Sequence, residues 1–189
     1  MNSNKLKKYF DNLCKKPDDI NEHLETLVKY GEVCDHITEM GVRNCVSTWS
    51  FLVARPNTLV SYDIRNPPSA NIKSVKDTAK DIGVDFSFIK ASTIDIEIEY
   101  TDLLFIDTHH SYAQLQKELA LHSSKANKYI IMHDTVLFGR VDQYNSPPSE
   151  KQGLYTALEE FLDLNKNWQI KEHYTNNNGL TIMERVNNE

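Results

Sequence analysis

Two short stretches carry most of the chemistry this sequence offers. Ile106-Asp107-Thr108-His109-His110-Ser111-Tyr112 and Ile131-Met132-His133-Asp134-Thr135 each close an apolar run and pass directly into aspartate and histidine. If the two runs are neighbouring parallel strands, Asp107, His110, His133 and Asp134 converge at their carboxyl ends. Two carboxylates and an imidazole make a site for a divalent ion such as Mg²⁺ or Mn²⁺, which take oxygen ligands. A substrate hydroxyl on such an ion loses its proton more readily. A second imidazole, titrating near neutral pH, can accept that proton. The alternative is structural: Asp107 and Asp134 cap the helices that follow, and the histidines are core groups.

A third stretch, Glu39-Met40-Gly41-Val42-Arg43-Asn44-Cys45-Val46-Ser47-Thr48, places an acid, a glycine and a short loop ahead of a Ser-Thr helix start. Gly41 permits close backbone approach, and a helix N-terminus offers free N–H groups, so this turn can face a nucleotide. An ordinary strand-to-helix loop with a Ser/Thr cap fits the same residues. Asp63 ends the next apolar run, 24 residues after Glu39. An acid so placed grips a ribose hydroxyl pair. His23, His36, His122 and His173 lack acidic partners at useful spacing and read as surface or core residues, and nothing marks Cys45 as a nucleophile.

The elements that position these residues follow from periodicity. Leu6, Tyr9, Phe10 and Leu13 recur at helical spacing. After Pro17, a second helix is expected from Ile20 to Tyr30-Gly31, capped by Asp18 or Asp19. Strands are expected at 33–40, 58–64, 84–89, 102–107 and 129–133, with helices at 47–53, 71–82, 112–122 and 154–164. Two closing strands at 168–174 and 180–185 flank Asn176-Asn177-Asn178-Gly179, a hairpin signal because Asn and Gly accept positive φ. Residues 138–150, with Pro147-Pro148, are irregular, and Arg140 and Tyr144 stand there as candidate acceptor contacts. The pattern is α/β: a Rossmann-like, doubly wound, mostly parallel sheet with an antiparallel C-terminal hairpin strand. The expected division is a helical extension over 1–32 and an α/β domain over 33–187. Such sheets bind ligands at the carboxyl ends of their strands, where all three stretches lie.

Composition narrows the partners. With 189 residues the chain fits one domain that needs no disulfide or structural metal to fold. Six glycines, with no G-x-G-x-x-G and no G-x-x-x-x-G-K-[ST], exclude a dinucleotide fingerprint and a P-loop. A net charge of −6 argues against nucleic acid. Lys5, Lys7, Lys8, Lys15 and Lys16 read as the solvated face of a terminal helix. With no long apolar run and no export signal, the chain is expected to be cytoplasmic and off the membrane, and three unpaired cysteines suit a reducing compartment.

Taken together, Glu39-Met40-Gly41-Val42-Arg43 with Ser47-Thr48, then Asp63, then Phe105-Ile106-Asp107-Thr108-His109-His110-Ser111-Tyr112, then Met132-His133-Asp134-Thr135 resemble class I S-adenosylmethionine-dependent methyltransferases. The similarity is greatest to the branch of small-molecule and sugar O-methyltransferases, macrocin-type and cephalosporin-hydroxylase-like. The resemblance implies that Glu39, Gly41 and the loop through Arg43 and Ser47 face the methionine part of the cofactor. It implies that Asp63 holds the ribose and Ala91-Ser92 lie near the adenine. Asp107 and Asp134, with His133 beside them, match positions that bind Mg²⁺ in metal-dependent relatives, and Asp107 also borders the cofactor. His110 matches the general base. Where the branch has a second loop glycine this chain has Cys45, which predicts a loop without a glycine-only conformation there; Thr108 replaces another glycine.

The expected activity is methyl transfer from S-adenosylmethionine to a hydroxyl of a small molecule, a sugar among the candidates, assisted by Mg²⁺ or Mn²⁺. Two other readings keep the fold: a binding or scaffold protein without turnover, and a metal-dependent enzyme of other chemistry. The N-terminal helices could cover a second copy of the chain.

Overall fold

Runs such as Leu103-Leu104-Phe105-Ile106 are apolar at consecutive positions, so a strand built from them must be covered on both faces. The computed structural model describes residues 3–186 and shows that arrangement; the expected domain limit at 187 lies outside the described residues. In chain order come α1 (Ser3–Lys15), a 3₁₀ turn (Asn21–His23), α2 (Leu24–Gly31), β1 (His36–Met40), α3 (Val46–Ala54), β2 (Thr58–Asp63), α4 (Ser69–Ile82) and β3 (Asp85–Lys90). They are followed by β4 (Thr101–Ile106), α5 (Tyr112–His122), β5 (Ala126–His133), α6 (Leu154–Leu164), β6 (Trp168–Tyr174) and β7 (Leu180–Arg185). No helix among the described residues is long and apolar enough to cross a membrane.

The seven strands form one sheet in the order β3-β2-β1-β4-β5-β7-β6. Strands β1 to β5 are parallel, β7 runs antiparallel to β5, and β6 closes the edge antiparallel to β7. The order reverses between β1 and β4, which makes their carboxyl ends the switch point where a crevice opens. Alternate side chains feed two cores. Ile37, Leu59, Phe105 and Ile131 pack against α1 to α4, and Met40, Leu104, Ile106, Ile130 and Met132 pack against α5 and α6. Leu6, Phe10, Leu24, Leu27 and Tyr30 of the two N-terminal helices share the first core with the sheet.

Helices α5 and α6 and strands β6 and β7 have the bounds expected from sequence, while α3, β3 and β4 differ by one residue at each end and β1, β2, α4 and β5 differ at one end. Strand β1 starts at His36 rather than Val33, because Cys34 N–H closes a turn on the Gly31 carbonyl and leaves Val33 exposed. Strand β5 starts at Ala126, three residues early, where Ala126 pairs with Thr101. The second helix corrects the sequence reading further. A 3₁₀ turn precedes it, and neither Asp18 nor Asp19 caps it. Both aspartates instead reach Arg43, an ion-pair geometry that no local rule anticipates.

Candidate active site

The loop after β1 has to pass unusually close to β4. Met40 O accepts from Asp107 N–H, and Gly41 N–H donates to Tyr62 O, so the loop is stitched to both neighbouring strands. At Gly41, with φ of +90°, a Cβ would lie 1.8 Å from the Asp107 carbonyl oxygen, so only glycine fits. Cys45 takes φ 65° and ψ 28°, a left-handed conformation, so the expected absence of such a turn is corrected. The Cys45 side chain is fully buried, and its packing holds a backbone shape that costs a non-glycine residue about 1 kcal/mol or more.

Glu39 lies beneath this loop at 0% exposure. Its carboxylate accepts from Ser47 Oγ (2.6 Å), Thr48 Oγ1 (2.9 and 3.1 Å) and Ser61 Oγ. Burial pushes its pKa from 4.5 up to about 7, against the pull of those three hydroxyls. Glu39 does not line the cavity, and its hydrogen bonds tie β1 to β2 and to the start of α3 beneath the loop. The Ser47 hydroxyl is likewise committed to Glu39, although Ser47 itself reaches the cavity wall.

Asp63, at the end of β2, turns its carboxylate onto the same loop. Its Oδ2 accepts from the N–H groups of Val42 (2.9 Å) and Arg43 (3.0 Å), and its Oδ1 from Arg65 N–H (2.8 Å). Two carboxylate oxygens offer about four acceptor sites, so capacity remains for a ligand hydroxyl. The guanidinium of Arg43 makes a two-pronged pair with Asp19 (2.6 and 2.7 Å).

A cavity of about 640 Å³ opens over these strand ends. Gly41, Arg43, Ser47, Asp63, Ser92, Asp107, His110 and Asp134 all line it, which brings together eight of the ten residues assigned from sequence to catalysis, cofactor or metal; Glu39 and His133 are buried and do not line it. Ser92 arrives on 91–100, a crossover from β3 to β4 without regular structure. Arg140 pairs with Glu159 and does not line the cavity, and the ring of Tyr144 stands out at 88% exposure. From the irregular stretch it is Gln143 that reaches the cavity, with its N–H on the His110 carbonyl, a contact carrying no signal in the sequence.

The two acidic strand ends meet because β4 and β5 pair in register, Ile106 opposite Met132. His110 Nε2 lies 3.1 Å from Asp107 Oδ1 and 2.9 Å from Asp134 Oδ2. The His110 ring stacks on Phe138 at 4.9 Å and 13°, which fixes its plane. Asp107, His110 and Asp134 present ligand atoms all within 4.8 Å of one another. His133 stands just outside that set, with Nδ1 3.3 Å from Asp134 Oδ2 and 3.7 Å from Asp107 Oδ1. Burial pulls both imidazoles toward neutrality, but the carboxylates outweigh it and hold His110 up at about 9 and His133 at about 10. The same contacts overcome burial to hold Asp107 and Asp134 below the ordinary aspartate range.

The donor set fits a cation. His133 Nε2 donates to the Asn177 carbonyl at 3.1 Å, since a carbonyl only accepts, and this leaves Nδ1 to face the two carboxylates. An imidazole anchored to a backbone carbonyl on one side is the arrangement metal-binding histidines use. Asp134 Oδ1, His110 Nδ1 and His133 Nδ1 are buried without a hydrogen bond. His23, read from sequence as an ordinary surface or core residue, is buried beneath this centre: its Nε2 meets the Asn176 and Asn177 carbonyls at 3.0 and 3.2 Å, and its ring abuts His133.

Known structures share this architecture. The O-methyltransferase TomG from Streptomyces achromogenes, solved with S-adenosylmethionine, is 13% identical over 88% of this chain and 81% of its own, with a TM-score of 0.61. An O-methyltransferase from Bacillus cereus, solved with S-adenosylhomocysteine, is 14% identical over 97% and 90%, with a TM-score of 0.57. The Podospora anserina methyltransferase PaMTH1, also bound to S-adenosylhomocysteine, is 13% identical over 99% and 97%, with a TM-score of 0.58. At such identities the likeness is one of fold. No curated protein matches the sequence significantly. The sequence does match one family, rhamnosyl O-methyltransferase/CmcI, over residues 14–186. That stretch is most of the chain and includes β1 to β7 and every cavity-lining residue, and the chain therefore belongs to the rhamnosyl O-methyltransferase/CmcI family of S-adenosylmethionine-dependent O-methyltransferases.

Proposed function

We propose that the chain methylates a hydroxyl group of a small molecule, with a divalent cation at Asp107 and Asp134. The observation that carries this reading is the convergence of Asp107, His110 and Asp134 in the same cavity as Gly41, Asp63 and Ser92. S-adenosylmethionine, when bound, supplies an electrophilic methyl group for direct displacement by a hydroxyl oxygen. A divalent cation, when bound, lowers the pKa of a hydroxyl that it touches.

The chain's own residues align and deprotonate. Asp63 keeps acceptor capacity for the ribose hydroxyls, and its grip on Val42 and Arg43 holds the glycine loop at a fixed height. Ser92 borders the end of the cavity assigned to the adenine. Asp107 and Asp134 would hold the cation, with His133 Nδ1, 3.3 Å from Asp134 Oδ2, available as a further ligand. With a cation neutralising the two carboxylates, whose charge otherwise keeps His110 protonated up to about 9, His110 Nε2 would be free to take the hydroxyl proton. Fixing the reactants in line contributes to the acceleration. A second assignment, with His110 as ligand, is favoured by its place within the 4.8 Å set.

Calorimetric titration with S-adenosylhomocysteine tests the cofactor half of this reading. Saturable one-to-one binding is expected; no heat at millimolar ligand would refute it.

A further inference from the structure

One fully buried acid has no part in the mechanism above. Glu118 lies in the middle of α5 at 0% exposure, and no lysine or arginine bonds to it among the described residues. Burying a carboxylate without a cationic partner is costly, and burial accordingly raises its pKa against the pull of its hydrogen bonds. An apolar side chain would fill that space more cheaply, so the acid has to be doing something specific.

What it does is visible in its partners. Glu118 Oε1 accepts from Thr93 Oγ1 and from Gln114 Nε2 (2.9 Å), and Oε2 accepts from Thr108 Oγ1 (2.9 Å). Thr93, Thr108 and Gln114 all line the large cavity. They come from three different places: the crossover 91–100, the loop after β4 and the first turn of α5. The crossover has no helix or strand of its own to hold its shape, so its position depends on such pins. His122, one turn further along α5, supplies a second by donating from Nε2 to the Thr93 carbonyl at 2.7 Å.

We propose that Glu118 is a positioning residue that sets the wall of the cofactor cavity on the Ser92 side, by clamping Thr93 of the crossover to Thr108 behind β4. The proposal rests on the reading that this cavity holds S-adenosylmethionine and that the Ser92 side takes its adenine. Glu118 touches no ligand itself. Without its carboxylate, two threonine hydroxyls and an amide lose their common acceptor, and the crossover is free to move away from the base.

The experiment measures S-adenosylhomocysteine affinity by calorimetry, and melting temperature, for the full chain and three variants. Glu118→Ala is expected to weaken binding about tenfold or more at a temperature where it is fully folded, the effect of losing one or two well-made hydrogen bonds. Glu118→Gln is expected to recover most of that loss, because the threonine hydroxyls can turn to accept from its amide. Thr93→Val, which deletes one hydroxyl without changing shape and keeps the test alive if Glu118→Ala does not fold, is expected to weaken binding several-fold. If wild type binds and Glu118→Ala or Thr93→Val binds within twofold of it, Glu118 has no positioning role and the proposal alone is overturned. A melting temperature that falls with unchanged affinity has the same meaning. If wild type itself does not bind, the reading of the cavity and this proposal fail together.

Discussion

At the scale of single residues, the two histidines beside the acidic pair differ in what holds them. His133 is anchored from behind by the Asn177 carbonyl, at 2% exposure, with its free nitrogen aimed at Asp107 and Asp134. The His110 ring meets those same carboxylates and the face of Phe138, and it borders the cavity. A ligand needs the first kind of support and a proton acceptor needs the second. His133→Ala is therefore expected to weaken Mn²⁺ binding tenfold or more. His110→Ala is expected to leave Mn²⁺ affinity within about threefold, with the imidazole gone but both carboxylates in place. Electron paramagnetic resonance titration of Mn²⁺ reads both, and the reverse order would make His110 the ligand. That aspartate and histidine meet here was legible in the sequence, because each follows an apolar strand. The anchoring of His133 was not, since Asn177 lies 44 residues further on in a hairpin turn.

Among the elements, the loop from β1 to α3 shows how local rules and tertiary packing divide the work. Gly41 was readable as a close-approach glycine, and the Asp107 carbonyl 1.8 Å from where its Cβ would sit supplies the reason. Cys45 misled, because propensity alone does not favour a left-handed cysteine at φ 65°, and the buried thiol overrides that preference. Two terms oppose each other in Cys45→Gly. Relief of backbone strain returns about 1 kcal/mol, while loss of a buried side chain and added chain entropy cost about the same. A melting temperature within about 3 °C of wild type is expected; a drop beyond about 8 °C would mean that the thiol's packing governs the loop. In α5 the bounds from Tyr112 to His122 followed from periodicity, yet Glu118 had no signal in the sequence. Its partners lie on other segments, and a glutamate at mid-helix ordinarily faces solvent.

For the whole molecule, Glu39 links the cavity floor to global stability. Its pKa rises from 4.5 in an unfolded chain to about 7 in the folded one, so the folded state binds the proton more tightly. Stability from this group is fully present below pH 4.5 and is lost as pH rises through 7, by on the order of 3 kcal/mol. Glu39→Gln removes that dependence. Denaturant unfolding between pH 4.5 and 8 should show wild type losing stability relative to the variant by about that amount, and parallel curves would refute it. The fold as a whole was readable because alternating apolar strands and amphipathic helices declare themselves locally. Contacts between distant segments, such as Arg43 with Asp19 or His23 with Asn176, follow only from the assembled chain.

Those distant contacts share one consequence. Asn177 accepts from His133 and His23 through its backbone carbonyl, accepts from Glu22 N–H through Oδ1, and donates from Nδ2 to the Asp18 carbonyl. During synthesis on the ribosome it emerges after every residue that lines the cavity. A nascent chain can thus complete its parallel strands β1 to β5 and still hold His133 unanchored. The anchor of His133 requires the hairpin turn at 176–179, which also binds residues 18 to 23.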